Sequence, residues 1–157
     1  MHNIHNIMEI VQLNANAKLS EHFTLGELTK SGSHPEVYNI PSHEAIANLK
    51  RVCEWLEILR KAHGGPIIIN SGYRSPQLNR KIGGAPNSNH LTGCAVDIRV
   101  SGMEQLIRYA AILLDYADES KQEFDELLIE KNRYGAIWLH FAVRPSNNRR
   151  KVAFVNA

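Results

Sequence analysis

Cysteine is scarce in this chain of 157 residues: Cys53 and Cys94 are the only two, they form no Cys-x-x-Cys pair, and they allow a single disulfide at most. They are expected as reduced thiols in a protein made in the cytoplasm. Charge of one sign is also missing, since 18 Lys and Arg face 16 Asp and Glu. That balance removes the electrostatic footprint of a dedicated nucleic-acid binder. No segment approaches 18 consecutive apolar residues, which excludes a membrane-spanning helix of the usual kind. The opening Met1-His2-Asn3-Ile4-His5-Asn6-Ile7 has no basic stretch, apolar run or small-residue cleavage site, so no signal peptide is expected. Repeats, low-complexity tracts and long Pro/Gly/Ser linkers are absent too, and one domain is the default. A chain this long buries roughly 68–70% of its unfolded surface and needs no metal to hold its core. A metal site in it is therefore expected to serve function.

Residues 1–22 read as a polar arm containing one strand-like piece at Glu9-Ile10-Val11-Gln12-Leu13, and 23–157 as the domain. Thr24-Leu25-Gly26-Glu27 has capping-box spacing and opens a short helix that Ser31-Gly32-Ser33 and Pro35 end. Ser42 caps a long helix whose Ala45, Leu49, Val52, Leu56 and Leu59 form one stripe, stopped by Gly64-Gly65-Pro66. Ile67-Ile68-Ile69 reads as a fully buried strand, and Ser75-Pro76 starts a short helix closed by Gly83-Gly84. From Cys94 to Val100 the residues alternate, with Ala95, Asp97 and Arg99 on one face. Ser101 is the expected cap of a helix with Met103, Leu106, Ile107, Ala110, Leu113, Leu114 and Ala117 on its apolar face. Strands at Phe124–Glu130 and Ala136–Val143 form a hairpin, and Lys151–Val155 an edge strand. Helices followed by neighbouring strands predict an α+β domain: a mainly antiparallel sheet with helices packed on one side.

A histidine and an aspartate with good ligand chemistry stand seven residues apart in Ser88-Asn89-His90-Leu91-Thr92-Gly93-Cys94-Ala95-Val96-Asp97. A second histidine, His140, lies on a strand whose other face is Ile137, Leu139, Phe141 and Val143, so it points away from the core together with Trp138. Two imidazoles and one carboxylate make a recognised catalytic zinc set that leaves the fourth position to water. The bland alternative is a loop histidine, a solvent-facing aspartate and a strand histidine satisfied by a neighbour.

Ser88-x-His90-x-x-Gly93-x-Ala95-x-Asp97, the upstream Ser71-Gly72-Tyr73-Arg74-Ser75-Pro76 and the downstream Trp138-x-His140 resemble the zinc D-Ala-D-Ala carboxypeptidases and L-alanyl-D-glutamate endopeptidases of metallopeptidase family fifteen. The order and spacing of all three blocks are similar. The Phe23-Thr24-Leu25 start and the Gly83 to Ser88 run look most like the short single-domain branch of phages and prophages. The resemblance covers roughly residues 20 to 155. It implies a zinc site on the sheet face held by His90, Asp97 and His140, and a water that attacks a peptide carbonyl. Many relatives carry an acidic base three residues before the last histidine, where this chain has Ile137.

Hairpin parity supplies a replacement. If Leu127 and Ile129 share the apolar face of Ile137, Leu139 and Phe141, then Glu126, Leu128 and Glu130 share the face of Trp138 and His140. Glu130 then sits beside Trp138, one diagonal step from His140, and is the candidate base; Glu126 is the reserve. Arg74, in the turn after the buried strand, is a candidate for binding a substrate carboxylate or stabilising an oxyanion, as the resemblance also implies. Tyr73 is a candidate to pack or to contact substrate, and Ser88 to contact substrate. His2 and His5 read as solvated, His22, His34, His43 and His63 as helix-end residues, Cys94 as a small buried residue rather than a ligand, and Cys53 as packed. Arg149-Arg150-Lys151 reads as a solvated tail or a weak contact for an anionic wall polymer.

The expected function is a zinc peptidase acting on the stem peptide of bacterial peptidoglycan, as carboxypeptidase or endopeptidase. The alternative is a zinc-binding or wall-binding module without catalysis, structural in a phage particle. A monomer without nucleic-acid or membrane partners is expected, acting on the cell wall after release by phage or prophage machinery.

Overall fold

A computed structural model describes residues 14–157; the strand-like piece at 9–13 and the pair His2 and His5 lie outside them. Thr24 closes the expected capping box with Glu27 and starts α1, Leu25–Thr29. The long helix α2 is His43–His63, with Ser42 accepting from the Ala45 amide and Gly64 ending it in the left-handed conformation. Then come β1, Ile69–Ser71, and α3, Pro76–Ile82. A single 3-10 turn at Asn89–Thr92 leads into β2, Ala95–Arg99. Helix α4, Met103–Ser120, precedes β3, Glu126–Lys131, β4, Ile137–Ala142, and β5, Lys151–Asn156.

The five strands form one sheet in the order β1-β2-β4-β3-β5. Every neighbouring pair is antiparallel except β3 and β5, which run parallel. Helices α2 and α4 pack on each other and on one face of this sheet, so the architecture is the expected α+β domain. Val96, Ile98, Leu127, Leu139 and Phe141 supply the sheet's share of the core, against Leu49, Val52, Leu56 and Leu59 of α2 and Leu106 and Leu113 of α4. Trp55 sits in the middle, its ring 5.2 Å from that of Phe141 and 4.8 Å edge-on from Tyr116.

Four local expectations are corrected. The strand predicted at Ile67–Ile69 begins only at Ile69, and Ile68 is 43% exposed, since its neighbours Ile67 and Ile69 take the buried side of the extended backbone. Helix α4 is capped by the backbone of Gly102 rather than by Ser101, whose amide instead donates to Gln105 Oε1. Its buried stripe is rotated toward Tyr109, which leaves Met103 and Ile107 exposed. The run Arg149-Arg150-Lys151 is no solvated tail. Arg149 makes a bidentate pair with the buried Asp125, Arg150 bonds Asp118, and Lys151 begins β5.

Residues 14–22 lie along the domain. Ala15 and Ala17 accept amides of Gly26 and Leu25, and Leu19 packs on the core. Ser20 and His22 both bond Glu57 of α2. Among the described residues no helix is long and apolar enough to cross a membrane.

Candidate metal centre

The sheet face turned away from the helices carries the polar residues of β2, β3 and β4. Register decides which of them meet. Asp97 is paired with His140 across β2 and β4, Leu128 with His140 across β3 and β4, and Glu130 with Trp138. The pairing of β3 with β4 is the one that hairpin parity predicts, and the two registers together bring the strand carboxylates Asp97, Glu126 and Glu130 and the strand histidine His140 to one place.

His90 reaches the same place from the 3-10 turn. Ser88 caps that turn, its Oγ accepting from the His90 amide at 3.1 Å, and Gly93 ends it at φ +77°. A Cβ on Gly93 would lie 2.4 Å from the Ala45 carbonyl oxygen, so only glycine lets the turn pass α2 with this backbone. Gly72 is constrained likewise, 2.3 Å separating its notional Cβ from the Leu28 oxygen. Its own carbonyl accepts from His90 Nδ1 at 2.7 Å. That bond places the proton on Nδ1 and leaves the Nε2 lone pair directed into the cluster.

His90 Nε2 stands 3.2 Å and His140 Nδ1 3.1 Å from Asp97 Oδ1. The far nitrogen of His140, Nε2, donates to Glu126 Oε1 at 2.9 Å. Each imidazole thus has its outer nitrogen held by an acceptor and its inner nitrogen turned to Asp97, where a metal would be bound, an arrangement common to histidine ligands. One ligand atom from each of His90, Asp97 and His140 lies within 4.8 Å of the others, and all three residues are buried. Nitrogen, nitrogen and carboxylate oxygen is a donor set suited to zinc with an open fourth position.

The electrostatics of the buried triad are those of an anion held between cations or a metal. Burial by itself would raise Asp97, but the charge and hydrogen bonds of His90 and His140 outweigh it and hold the carboxyl far below its ordinary range. Burial works against charge on His140, yet its bonds to Asp97 and Glu126 push it up to about 10. Glu126 is drawn down to about 2 against its burial by His140 and Asn89.

The remaining candidates fall into distinct places. Glu130 Oε1 accepts from Trp138 Nε1 at 2.8 Å and lies 3.7 Å from His140 Nδ1, the inner nitrogen. Ile137 is packed against the hydrophobic core on the opposite face. Arg74 donates from Nε to Ser71, from NH1 to Asn79 and from NH2 to Asp97 Oδ2, the last at 2.9 Å. It also lines a cleft of about 850 Å³ together with Ser88, His90, Asp97, Glu126, Glu130, Trp138 and His140. Tyr73 does not line that cleft; its side chain belongs to the core, where burial raises its hydroxyl. Cys94 and Cys53 are buried free thiols, both raised by burial, and neither joins the metal cluster.

Sequence reasoning overlooked Asn89 and Asp125. Asn89 Nδ2 donates to Asp125 Oδ2 at 2.8 Å and to Glu126 Oε1 at 2.7 Å, and Asp125 takes Arg144 and Arg149 as well. An acid directly after Phe124 at the head of an apolar strand was the available signal.

Residues 21–125 match the Peptidase M15 family. The chain belongs to the peptidase M15 family. Over 91 residues it is 34% identical to the zinc D-Ala-D-Ala carboxypeptidase of Streptomyces albus G, a stretch covering 57% of this chain and 36% of that protein. The match thus spans about a third of the length of that curated relative. In this M15 chain the family match contains Arg74, His90 and Asp97. Glu126, Glu130 and His140 come from β3 and β4 beyond it, and the sheet register joins them to the rest.

Proposed function

We propose that this M15 chain is a zinc-dependent peptidase that hydrolyses bonds in the stem peptide of bacterial peptidoglycan. The observation that carries this reading is the convergence of His90 Nε2, Asp97 Oδ1 and His140 Nδ1 next to the carboxylate of Glu130, on the wall of one cleft. The name of the Streptomyces albus G relative, a zinc D-Ala-D-Ala carboxypeptidase, supports both the metal and the substrate class.

His90, Asp97 and His140 would hold the zinc, which when bound lowers the pKa of water toward about 7 and polarises a carbonyl. Glu130 is placed to take the proton of the attacking water and return it to the leaving amine. Trp138 orients that carboxylate by its indole N–H. Arg74 presents a guanidinium to the cleft while its bond to Asp97 keeps it in position, and a substrate carboxylate or an oxyanion is its natural partner. Ser88 offers a hydroxyl on the same wall. Glu130 on β3 thereby takes the work that an acid at position 137 performs in many relatives.

Ile137 also supports a second reading, a zinc- or wall-binding module without turnover. One experiment separates the two. Peptidoglycan fragments with full-length and trimmed stems are incubated with zinc-loaded protein, with and without chelator, and weighed by mass spectrometry. Chelator-sensitive loss of a terminal D-Ala identifies a carboxypeptidase, and an internal cut an endopeptidase. Unchanged fragments with stoichiometric zinc would establish the binding module.

A further inference from the structure

Two glutamates on β3, four residues apart, flank His140 from opposite sides. Glu130 lies next to its inner nitrogen Nδ1, and Glu126 accepts from its outer nitrogen Nε2 at 2.9 Å. Their surroundings differ as sharply. Glu130 accepts only the Trp138 indole, a bond that leaves its second oxygen uncommitted among the hydrogen bonds of the site. Glu126 is clamped: Oε1 also accepts from Asn89 Nδ2 at 2.7 Å, Oε2 is 3.3 Å from Arg149 NH2, and the side chain is 14% exposed.

We propose that Glu126 is a positioning residue for the metal centre. It fixes His140 in the tautomer and ring orientation that present Nδ1 to the metal, and Asn89 and Arg149 in turn fix Glu126. The inference rests on His140 being a metal ligand. The physical case is as follows. An imidazole has two nitrogens, and a neutral ring offers one lone pair; whichever nitrogen donates to a fixed acceptor leaves the other to the metal. A carboxylate acceptor on that N–H stiffens the ring and strengthens it as a ligand, and losing such a partner typically costs 10- to 100-fold in metal affinity. Asn89 is the neighbour of His90 in sequence, so the same amide that holds Glu126 ties the partner of one ligand to the backbone of another. Arg149 extends the clamp to the connection between β4 and β5, which Asp125 holds through the same guanidinium. Glu126 is therefore no base: its Oε1 is saturated by two donors and faces the side of His140 away from Nδ1.

The test compares zinc affinity, by competition with a chromophoric chelator, in the unaltered protein, Glu126→Leu and Glu126→Gln. Leu should weaken zinc 10- to 100-fold, and Gln, whose amide oxygen still accepts from Nε2, should recover part of that loss. Equal affinity in all three proteins would overturn the assignment, as would an equal loss in both variants. A measurement on the unaltered protein guards against a Leu variant that does not fold. In zinc-loaded protein, nitrogen-15 NMR of the His140 ring should find the proton on Nε2, and a proton on Nδ1 would overturn the proposal. Turnover is a separate readout. If no fragment is cleaved while the zinc affinities fall in the stated order, the peptidase reading fails and this one stands. If the unaltered protein binds no zinc, both fail.

Discussion

His140 on β4 and Asp97 on β2 are direct partners across the sheet, and His140 Nδ1 lies 3.1 Å from Asp97 Oδ1. Two of the candidate ligand atoms are thus set by the sheet, on its face opposite the core, and the third is delivered by a capped turn. Since the core is built from the other face, a metal at this place is expected to be separable from the fold, and the consequences can be tested one by one.

Removing the metal should silence the protein without unfolding it. Chelator treatment is expected to abolish fragment hydrolysis while far-UV circular dichroism keeps its folded signature. The unfolding free energy should drop by the binding contribution alone, about 2.7 kcal/mol at a free zinc concentration of 100 times Kd. A collapse of the dichroism signal on chelation would show that the metal holds the fold.

Glu130→Gln retains an acceptor for Trp138 Nε1 but cannot take up a proton. Zinc stoichiometry should stay unchanged while kcat falls about 10²- to 10⁴-fold. Wild-type turnover in this variant would remove Glu130 from the chemistry.

Gly93→Ala forces a side chain onto a backbone at φ +77° and within 2.4 Å of the Ala45 oxygen. We expect a loss of at least about 1–3 kcal/mol in thermal unfolding, together with weaker zinc binding because the turn that carries His90 must move. An alanine variant as stable as the original would mean that α2 yields readily at this point.

Asp125 gives a pH dependence with a definite sign. Burial raises its carboxyl, but the hydrogen bonds and charge of Arg149, Asn89 and Arg144 outweigh that and bring it down to about 2. The unfolded chain protonates near 3.9. Its contribution to stability, on the order of 1–3 kcal/mol, is therefore complete above that value and lost as the pH falls through about 2. Asp125→Asn should melt well below the unaltered protein at pH 7, and the gap should close toward pH 2. A gap that does not vary with pH would assign the cost to shape rather than charge.

Much of this was legible in the order of residues, for identifiable reasons. Helix caps at Thr24, Ser42 and Ser75 are local hydrogen bonds made within three residues, so they follow from spacing. Alternation along 95–99 and 137–142 assigns each side chain to a face because the strand period is two, and hairpin parity follows from the need to bury Leu127 and Leu139 together. The error at Ile68 came from a quantity that no local pattern contains, the number of covered faces a strand will have. The rotated stripe of α4 is of the same kind, since which side of a helix is buried depends on what packs against it.

The sequence by itself determined the donor types and the strand faces that Asp97 and His140 occupy, because these depend on residues close along the chain. Tertiary structure alone decided that Glu130 lies beside the inner nitrogen of His140 and Glu126 on its outer one, that Arg74 is bonded to Asp97, and that Tyr73 belongs to the core. It also decided that Arg149 returns to Asp125 across the end of β3. Those relationships join residues far apart in sequence, and only the sheet register and the helix packing set the distances between them.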